Sequence, residues 1–336
     1  MGLGEPQGVV PVGRVGVDGR LPDGGGFAAY NAAPPTGVSS MLYIEPQAGV
    51  QPVVQLIESA RRSVDLNVYM ITDRRVLAAL RADRDRGVRV RVIIQEHPYR
   101  AQRRFVARER RELADAGVAQ RYAPRRFEGR YVFDHAKYIV VDNGRRYLVG
   151  TANFTYSAFR RNREYLWIGD DRRTGAALDA VFDDDWRGRH LRRPLPPPLI
   201  ASPGSARALA AVIRQPGPVE IESEEFGDVA AIERAVRAKR GDIRILVPAR
   251  ESRHDLRVLA GLEREGARVR LLRRPYLHAK LILGRGEAFI GSQNFSESSL
   301  YRNREIGLVL HGPALARLAA RFDRDWDRGR PLGGRY

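Results

Sequence analysis

Apolar residues along this chain switch between two spacings, and the switches mark the elements. In VVQLIESARR (53–62) they recur at helical spacing. In VDLNVYMI (64–71), Val64, Leu66, Val68 and Met70 alternate, which predicts a strand with one buried face. The run RRVLAALRADRDR (74–86) reads as an amphipathic helix closed by Gly87. VRVRVII (88–94) alternates valine with arginine and predicts a second strand. A further helical stretch follows, then three short strands in YIVVD, RYLVG and YLWIG, then a helix over 172–186.

The same order then returns. VEIESEEF (219–226) matches the first strand, DVAAIERAVRA (228–238) the helix and DIRILVP (242–248) the second strand. LAGLEREGARVRLL (259–272) supplies the next helix and strand. Both halves end alike, in FDDDW (182–186) and FDRDW (322–326), which makes Phe182, Trp186, Phe322 and Trp326 core residues on a helix face. Between the halves, RRPLPPPLIASPGS (192–205) reads as an extended proline-rich linker. The expected organisation is an irregular Gly/Pro-rich segment over 1–40, a half over 41–191, the linker 192–205 and a second half over 206–330. The expected fold class is α/β: two duplicated halves, each a mixed sheet flanked by helices. A repeat this long is no solenoid unit.

The duplication carries a motif. DHAKYIVVDNGRRYLVGTANFTYSAFRRNREYLWI (134–168) and LHAKLILGRGEAFIGSQNFSESSLYRNREIGLVL (277–310) both run His-Ala-Lys, Gly-Thr/Ser-x-Asn-Phe-Thr/Ser and Arg-Asn-Arg-Glu. Each copy offers one His, Lys, Asn and Glu: His135, Lys137, Asn153 and Glu164, then His278, Lys280, Asn294 and Glu305. His and Lys two apart on a strand share a face. Either glutamate suits an imidazole N–H as a partner that fixes its tautomer.

Composition sharpens this. Lys and Arg total 58 and the formal charge is +18, a field that attracts polyanions, either nucleic acid or an acidic membrane surface. Only three of those cations are lysines, Lys137, Lys239 and Lys280, and two of them stand in the His-Ala-Lys triplets. A compact ammonium is not replaced by a planar guanidinium in a tight site. The absence of cysteine excludes disulfides, thiolate metal sites and cysteine nucleophiles. No apolar run approaches the ~20 residues of a membrane-spanning helix. No secretory signal is visible; the compartment and oligomeric state stay open.

Two matching His/Lys/Asn/Glu sets suit phosphodiester chemistry where the halves meet. One imidazole attacks phosphorus, the other protonates the leaving oxygen and then activates water, and lysine and asparagine stabilise the phosphoryl oxygens. The reading requires no cofactor and no metal. The motifs resemble those of the phospholipase D superfamily, whose mark is HxK-x4-D followed by G-[STG]-x-N. His135, Lys137, Asp142, Gly150 and Asn153 match it fully. The second copy has Arg285 where the family has Asp, usually a structural ion-pair partner, which bears on the local turn. The resemblance covers about residues 41–328 and implies one nucleophilic and one acidic histidine, here His135 and His278 respectively.

Substrate is less sharply marked. Arginine and aromatics interleave in PYRAQRRFVARERR (98–111), in RRFEGRYVF (125–133) before His135 and in LLRRPYL (271–277) before His278. That pattern favours a nucleic-acid strand, with guanidinium on phosphate and rings on bases. An anionic phospholipid surface is the alternative. A non-catalytic binding protein is a third reading, which the complete duplicate sets disfavour. Expected substrate contacts are Thr155, Ser296, Arg125, Arg126, Tyr131 and Arg274. His97 is expected at the rim of the site, and His190, His254 and His311 at the surface.

Overall fold

The computed structural model describes residues 40–99, 101–191 and 195–333. The expected irregular segment 1–40 lies almost wholly outside the described residues. The first half runs β1 (Met41–Glu45), α1 (Gln51–Glu58), β2 (Ser63–Val68), α2 (Arg74–Asp85), β3 (Arg89–Ile94), α3 (Arg103–Asp115) and β4 (Ala119–Tyr122). A 3-10 turn at Arg125–Phe127 leads to a small hairpin, β5 (Glu128–Gly129) and β6 (Val132–Phe133). Then come β7 (Lys137–Val141), β8 (Arg146–Gly150), α4 (Tyr156–Arg160), β9 (Asn162–Gly169) and α5 (Arg172–Trp186).

The second half repeats this as β10 (Leu199–Ser202), α6 (Ala206–Ile213), β11 (Val219–Ser223), α7 (Ala230–Arg237), β12 (Ile243–Pro248), α8 (Arg253–Arg264) and β13 (Arg268–Leu272). It continues with β14 (Tyr276–Leu277), β15 (Lys280–Leu283), β16 (Ala288–Gly291), α9 (Glu297–Tyr301), β17 (Glu305–Leu310), α10 (Ala314–Arg328) and β18 (Arg330–Pro331). The stretch expected as a linker therefore holds a strand: β10 pairs antiparallel with β17 as β1 pairs with β9. Its prolines read as a connector because a strand at a sheet edge tolerates them on either side.

Each half has one mixed sheet, in the orders β1-β9-β8-β7-β2-β3-β4 and β10-β17-β16-β15-β11-β12-β13-β18. β2, β3 and β4 are parallel, and so are β11, β12 and β13; the other pairings along the two sheets are antiparallel. Sequence and caps explain the helices. Asp73 accepts the N–H of Arg75 at the start of α2, and Gly87 takes a positive φ just beyond its end. Asp171 and Ser252 cap α5 and α8 in the same way. Val64, Leu66 and Val68 pack under the helices with Val90 and Val92, as their alternation predicts.

The opposite faces of both sheets are not solvated. Tyr138, Val140, Val149, Leu281 and Ile290 belong to a shared core that joins the halves, with Phe182 on α5 and Phe322 on α10. The arginines of VRVRVII are drawn in with them. Arg91 pairs with Asp65 at 2.6 Å and lies over the Phe182 ring, and Arg244 repeats this over Phe322.

Two buried ion pairs cross the interface. Arg163 of β9 binds Asp325 of α10, and Arg304, just before β17, binds Asp185 of α5. The Arg of each Arg-Asn-Arg-Glu thus holds the aspartate of the other half's FDxDW. A buried pair is weak evidence of net stability, but removing one partner strands the other charge. Asp325→Asn should therefore lower unfolding free energy by about 3–5 kcal/mol, whereas Asp323→Asn, on an exposed pair with Arg244, should cost about 1 kcal/mol or less. Chemical denaturation of the two variants checks this.

Candidate active site

His-Ala-Lys enters each sheet from the far side of the interface. The backbone before His278 adds to β9, with Tyr276 and Leu277 opposite Asn162 and Arg163, and the His278 N–H donates to the Arg163 carbonyl. The segment before His135 does the same against the second half: Asp134 bridges to Arg304, and the His135 N–H donates to the Arg304 carbonyl at 2.8 Å. Each histidine therefore lies beside the glutamate of the other copy. His135 Nδ1 is 3.1 Å from Glu305 Oε2, and His278 Nδ1 is 2.8 Å from Glu164 Oε2. The four-residue sets expected within one copy are exchanged across the interface at their fourth member.

The glutamates are fully buried and fully engaged. Glu305 accepts from Ser299 (2.6 Å) and Asn303 (3.1 Å), and Glu164 accepts from Thr151 (2.6 Å) and Asn162 (3.1 Å). Burial pushes both carboxyls up, and the charge and hydrogen bond of the paired histidine reverse that, so both titrate below the usual carboxylate range. The Asn of Arg-Asn-Arg-Glu thus has a task that the sequence reading missed.

Both motif lysines are wholly buried, and each Nζ donates to the carbonyl of its own histidine at 2.6 Å. Burial, with the second cation Lys280 nearby, pulls Lys137 down to about 7. Burial and then Lys137 pull His135 down to about 4, against Glu305. The third lysine has another role: Lys239 Nζ ties the Gln215 and Gly217 carbonyls together. Asn153 and Asn294 follow β8 and β16, and the side-chain oxygen of each is buried without a hydrogen-bond partner.

The two half-sites differ at one level of the sheet. Tyr69 follows β2, and its ring stands edge-on to His135 at 4.8 Å and near Lys137 Nζ at 5.4 Å. After β11 the matching position is Glu224, which escaped the sequence reading. Its Oε2 is 2.8 Å from Lys280 Nζ and 3.3 Å from His278 Nε2. An imidazole facing carboxylates at both nitrogens satisfies both only as imidazolium.

The expected peripheral residues divide. Tyr131 is exposed at the end of an aromatic row that runs through Tyr99, Phe133 and Tyr69 to His135, with successive ring centroids 5.7, 6.2, 5.9 and 4.8 Å apart. Arg125 and Arg274 are exposed. Arg126 is instead committed to structure: it binds Asp185 at 2.7 Å and the Gly188 and Arg189 carbonyls. Thr155 is the N-cap of α4, accepting from the Ala158 N–H, and Ser296 bonds to Glu225. Asp142 accepts the N–H groups of Arg61, Arg62 and Ser63, so it holds a turn by amides rather than an ion pair. Opposite Arg285, that bracing falls to the Gln215 side chain, which donates to the Val212 and Glu287 carbonyls and accepts from the Glu287 N–H.

His97 is exposed at a distance of 3.5 Å from Glu128. Glu96, His97 and Glu128 hold three ligand-type atoms within 4.8 Å of one another, a grouping hidden from sequence spacing by the distance to Glu128. His190, His254 and His311 are all exposed, as expected.

Comparison with known proteins shows the family. A family model described as "Cardiolipin synthase, PLD-like domain" matches residues 53–186 and 220–326. The chain belongs to the phospholipase D superfamily. Mitochondrial cardiolipin hydrolase of Xenopus tropicalis is 33% identical over 132 residues, covering 39% of this chain and 58% of that protein. Phospholipase D of Rickettsia prowazekii (strain Madrid E) is 26% identical over 134 residues, 40% of this chain and 60% of that protein. The match thus spans about three-fifths of these relatives. In fold, the chain is similar to phosphatidylserine synthase from Haemophilus influenzae Rd KW20, with a TM-score of 0.65, 12% identity and 87% of each chain covered. Among the described residues no helix is long and apolar enough to cross a membrane.

The exchanged pairing is testable by histidine NMR titration. Glu305→Gln should move His135 further below about 4, because the Glu305 charge opposes its depression, while Glu164→Gln should leave His135 in place. The reverse pattern would refute pairing across the interface.

Proposed function

We propose that this protein is a phosphodiesterase that works through a covalent phosphohistidine, with His135 as nucleophile and His278 as acid and base. One observation carries the reading: the two half-sites surround their histidines differently, with one carboxylate at His135 and two at His278. His135 is mostly covered beside Lys137 and is neutral above about pH 4, with Nδ1 turned to Glu305 and Nε2 left for the substrate. His278 lies between two carboxylates, with Glu164 at Nδ1 and Glu224 at Nε2, which are the surroundings of a proton donor.

In the reaction, the His135 Nε2 lone pair attacks phosphorus. The bond to the leaving oxygen breaks, and that oxygen takes the proton from His278 Nε2. Water then attacks the phosphohistidine. His278 takes its proton, and the P–N electron pair returns to His135. Lys137, Lys280 and the amides of Asn153 and Asn294 stabilise the phosphoryl oxygens. The residues need no metal for this sequence.

For substrate we favour a nucleic-acid strand. The aromatic row from Tyr131 to Tyr69, with Arg130 over Tyr131 at 5.3 Å, suits stacked bases beside phosphates. The exposed large hydrophobic side chains among the described residues are all tyrosines, which fits stacking better than insertion into acyl chains. A phospholipid head group is the second reading, favoured by the names of the cardiolipin hydrolase and phospholipase D relatives.

A paired assay without added metal decides between them: labelled single-stranded DNA in one tube, vesicles of phosphatidylcholine and phosphatidylglycerol in the other. DNA cleavage is expected, and His135→Ala or His278→Ala should each cut turnover by ~10²-fold or more. Head-group release instead would establish the second reading, and near-normal turnover in either variant would sink the two-histidine mechanism.

The pH profile of kcat/KM supplies a separate check. It should rise through about pH 4 as His135 loses its proton, and fall above about 7 as Lys137 loses its charge. An acid limb at the ordinary histidine value of 6.5 would contradict a buried, neutral nucleophile.

A further inference from the structure

Glu224 breaks the symmetry of the two half-sites on the side open to an anion. Backbone bonds fix the equivalence of the two positions: Phe154 N–H donates to the Met70 carbonyl and Phe295 N–H to the Glu225 carbonyl, so Tyr69 matches Glu224. Tyr69 brings no negative charge, and its hydroxyl accepts from the Tyr99 N–H. Glu224 brings a carboxylate onto the two groups that the second half-site presents to an anion. His278 Nδ1 is already taken by Glu164, which leaves Nε2 and Lys280 Nζ, and one oxygen of Glu224 touches both. Its other oxygen accepts from the Tyr276 hydroxyl at 3.1 Å, on an exposed residue at the mouth. Burial pushes the Glu224 carboxyl up, but His278, Lys280 and His135 outweigh it and hold it at about 2, so it is an anion at any working pH.

Resting on the phosphodiesterase reading above, we propose that Glu224 is an internal occupant of the anion subsite in the second half, displaced as a phosphodiester binds. Its charge makes the site discriminate against dianionic phosphomonoesters. The carboxylate does with the protein's own chain what a non-bridging phosphoryl oxygen does on binding: it accepts from Lys280 and from His278 Nε2. When the substrate takes over these donors, Glu224 turns outward, still tethered next to Ser223. A ligand with one negative charge then meets a nearby like charge once, and a dianion meets it twice. A diester substrate is thereby favoured over a monoester product, which has gained an ionisable oxygen on cleavage.

The test is calorimetric binding of methyl phosphate and dimethyl phosphate to the full chain at about pH 7.5, where the first is mainly a dianion and the second a monoanion. Glu224→Gln keeps the shape and removes the charge. It should tighten methyl phosphate by about tenfold or more and dimethyl phosphate by clearly less, narrowing the ratio of the two affinities by about threefold or more. Tyr276→Phe, which removes only the hydroxyl that holds the carboxylate in, should shift methyl phosphate the same way by a smaller factor. Unchanged or weaker methyl phosphate binding in a folded Glu224→Gln protein would overturn the proposal, as would equal tightening of both ligands. If Glu224→Gln does not fold, Tyr276→Phe decides by the same criterion. Binding is read without turnover, so failure here is separable from failure of the histidine variants in the cleavage assay.

Discussion

The burial of two ammonium groups and two imidazoles at one interface is the constraint on which the rest of this structure turns. Lys137 and Lys280 have no solvent exposure, and such charges are costly inside a protein unless matched. For Lys280 the match is Glu224 of its own half, but the carboxylates at the imidazole Nδ1 atoms come from across the interface. Glu305 faces His135 and Glu164 faces His278 because the chain before each histidine adds to the other half's sheet. Neither half alone carries the carboxylate that orients its own imidazole. The shared apolar core and the two buried Arg–Asp pairs lock the same interface in register. Stability and site geometry are therefore one problem, solved by one set of contacts.

Much of this was legible in the sequence, and the reason is locality. Strand and helix periods, the caps and the His-x-Lys spacing are all set by neighbours in the chain. Lysine scarcity also spoke, since a protein that otherwise uses arginine kept ammonium groups at two buried points and at the Lys239 turn. What stayed hidden depends on the interface. The exchange of glutamates between copies joins residues 170 and 114 positions apart in the chain, and spacing within a copy cannot reveal it. Arg126 and Thr155 looked available because nothing local showed Asp185 or the α4 amide that they serve. The strand within 192–205 was masked by its prolines.

Glu224 illustrates the hardest case. VEIESEEF alternates apolar and acidic residues, and such a run ordinarily means a solvated face. Here Glu222 is buried and Glu224 lies against the lysine and histidine of the motif. A period of two reports which side of a sheet a residue occupies, not whether that side faces water or a second half. In a duplicated protein the outer faces of one repeat are the inner faces of the whole.

The proposed reaction asks one duplicated motif to serve two different chemical roles. A symmetric site would give both histidines the same surroundings and hence the same proton occupancy, which is useless where one must be a free base and the other an acid. Two of the departures from symmetry are substitutions at matched motif-flanking positions, and they are unequal in effect. Asp142 and Arg285 differ far from the imidazoles, and Gln215 restores the bracing that Asp142 provides in the first half. Tyr69 and Glu224 differ against the imidazoles themselves: the ring leaves His135 with a single carboxylate partner, and the acid gives His278 a second. Under the proposed reaction, that single exchange of an aromatic for an acid suffices to divide the labour between two otherwise matched half-sites.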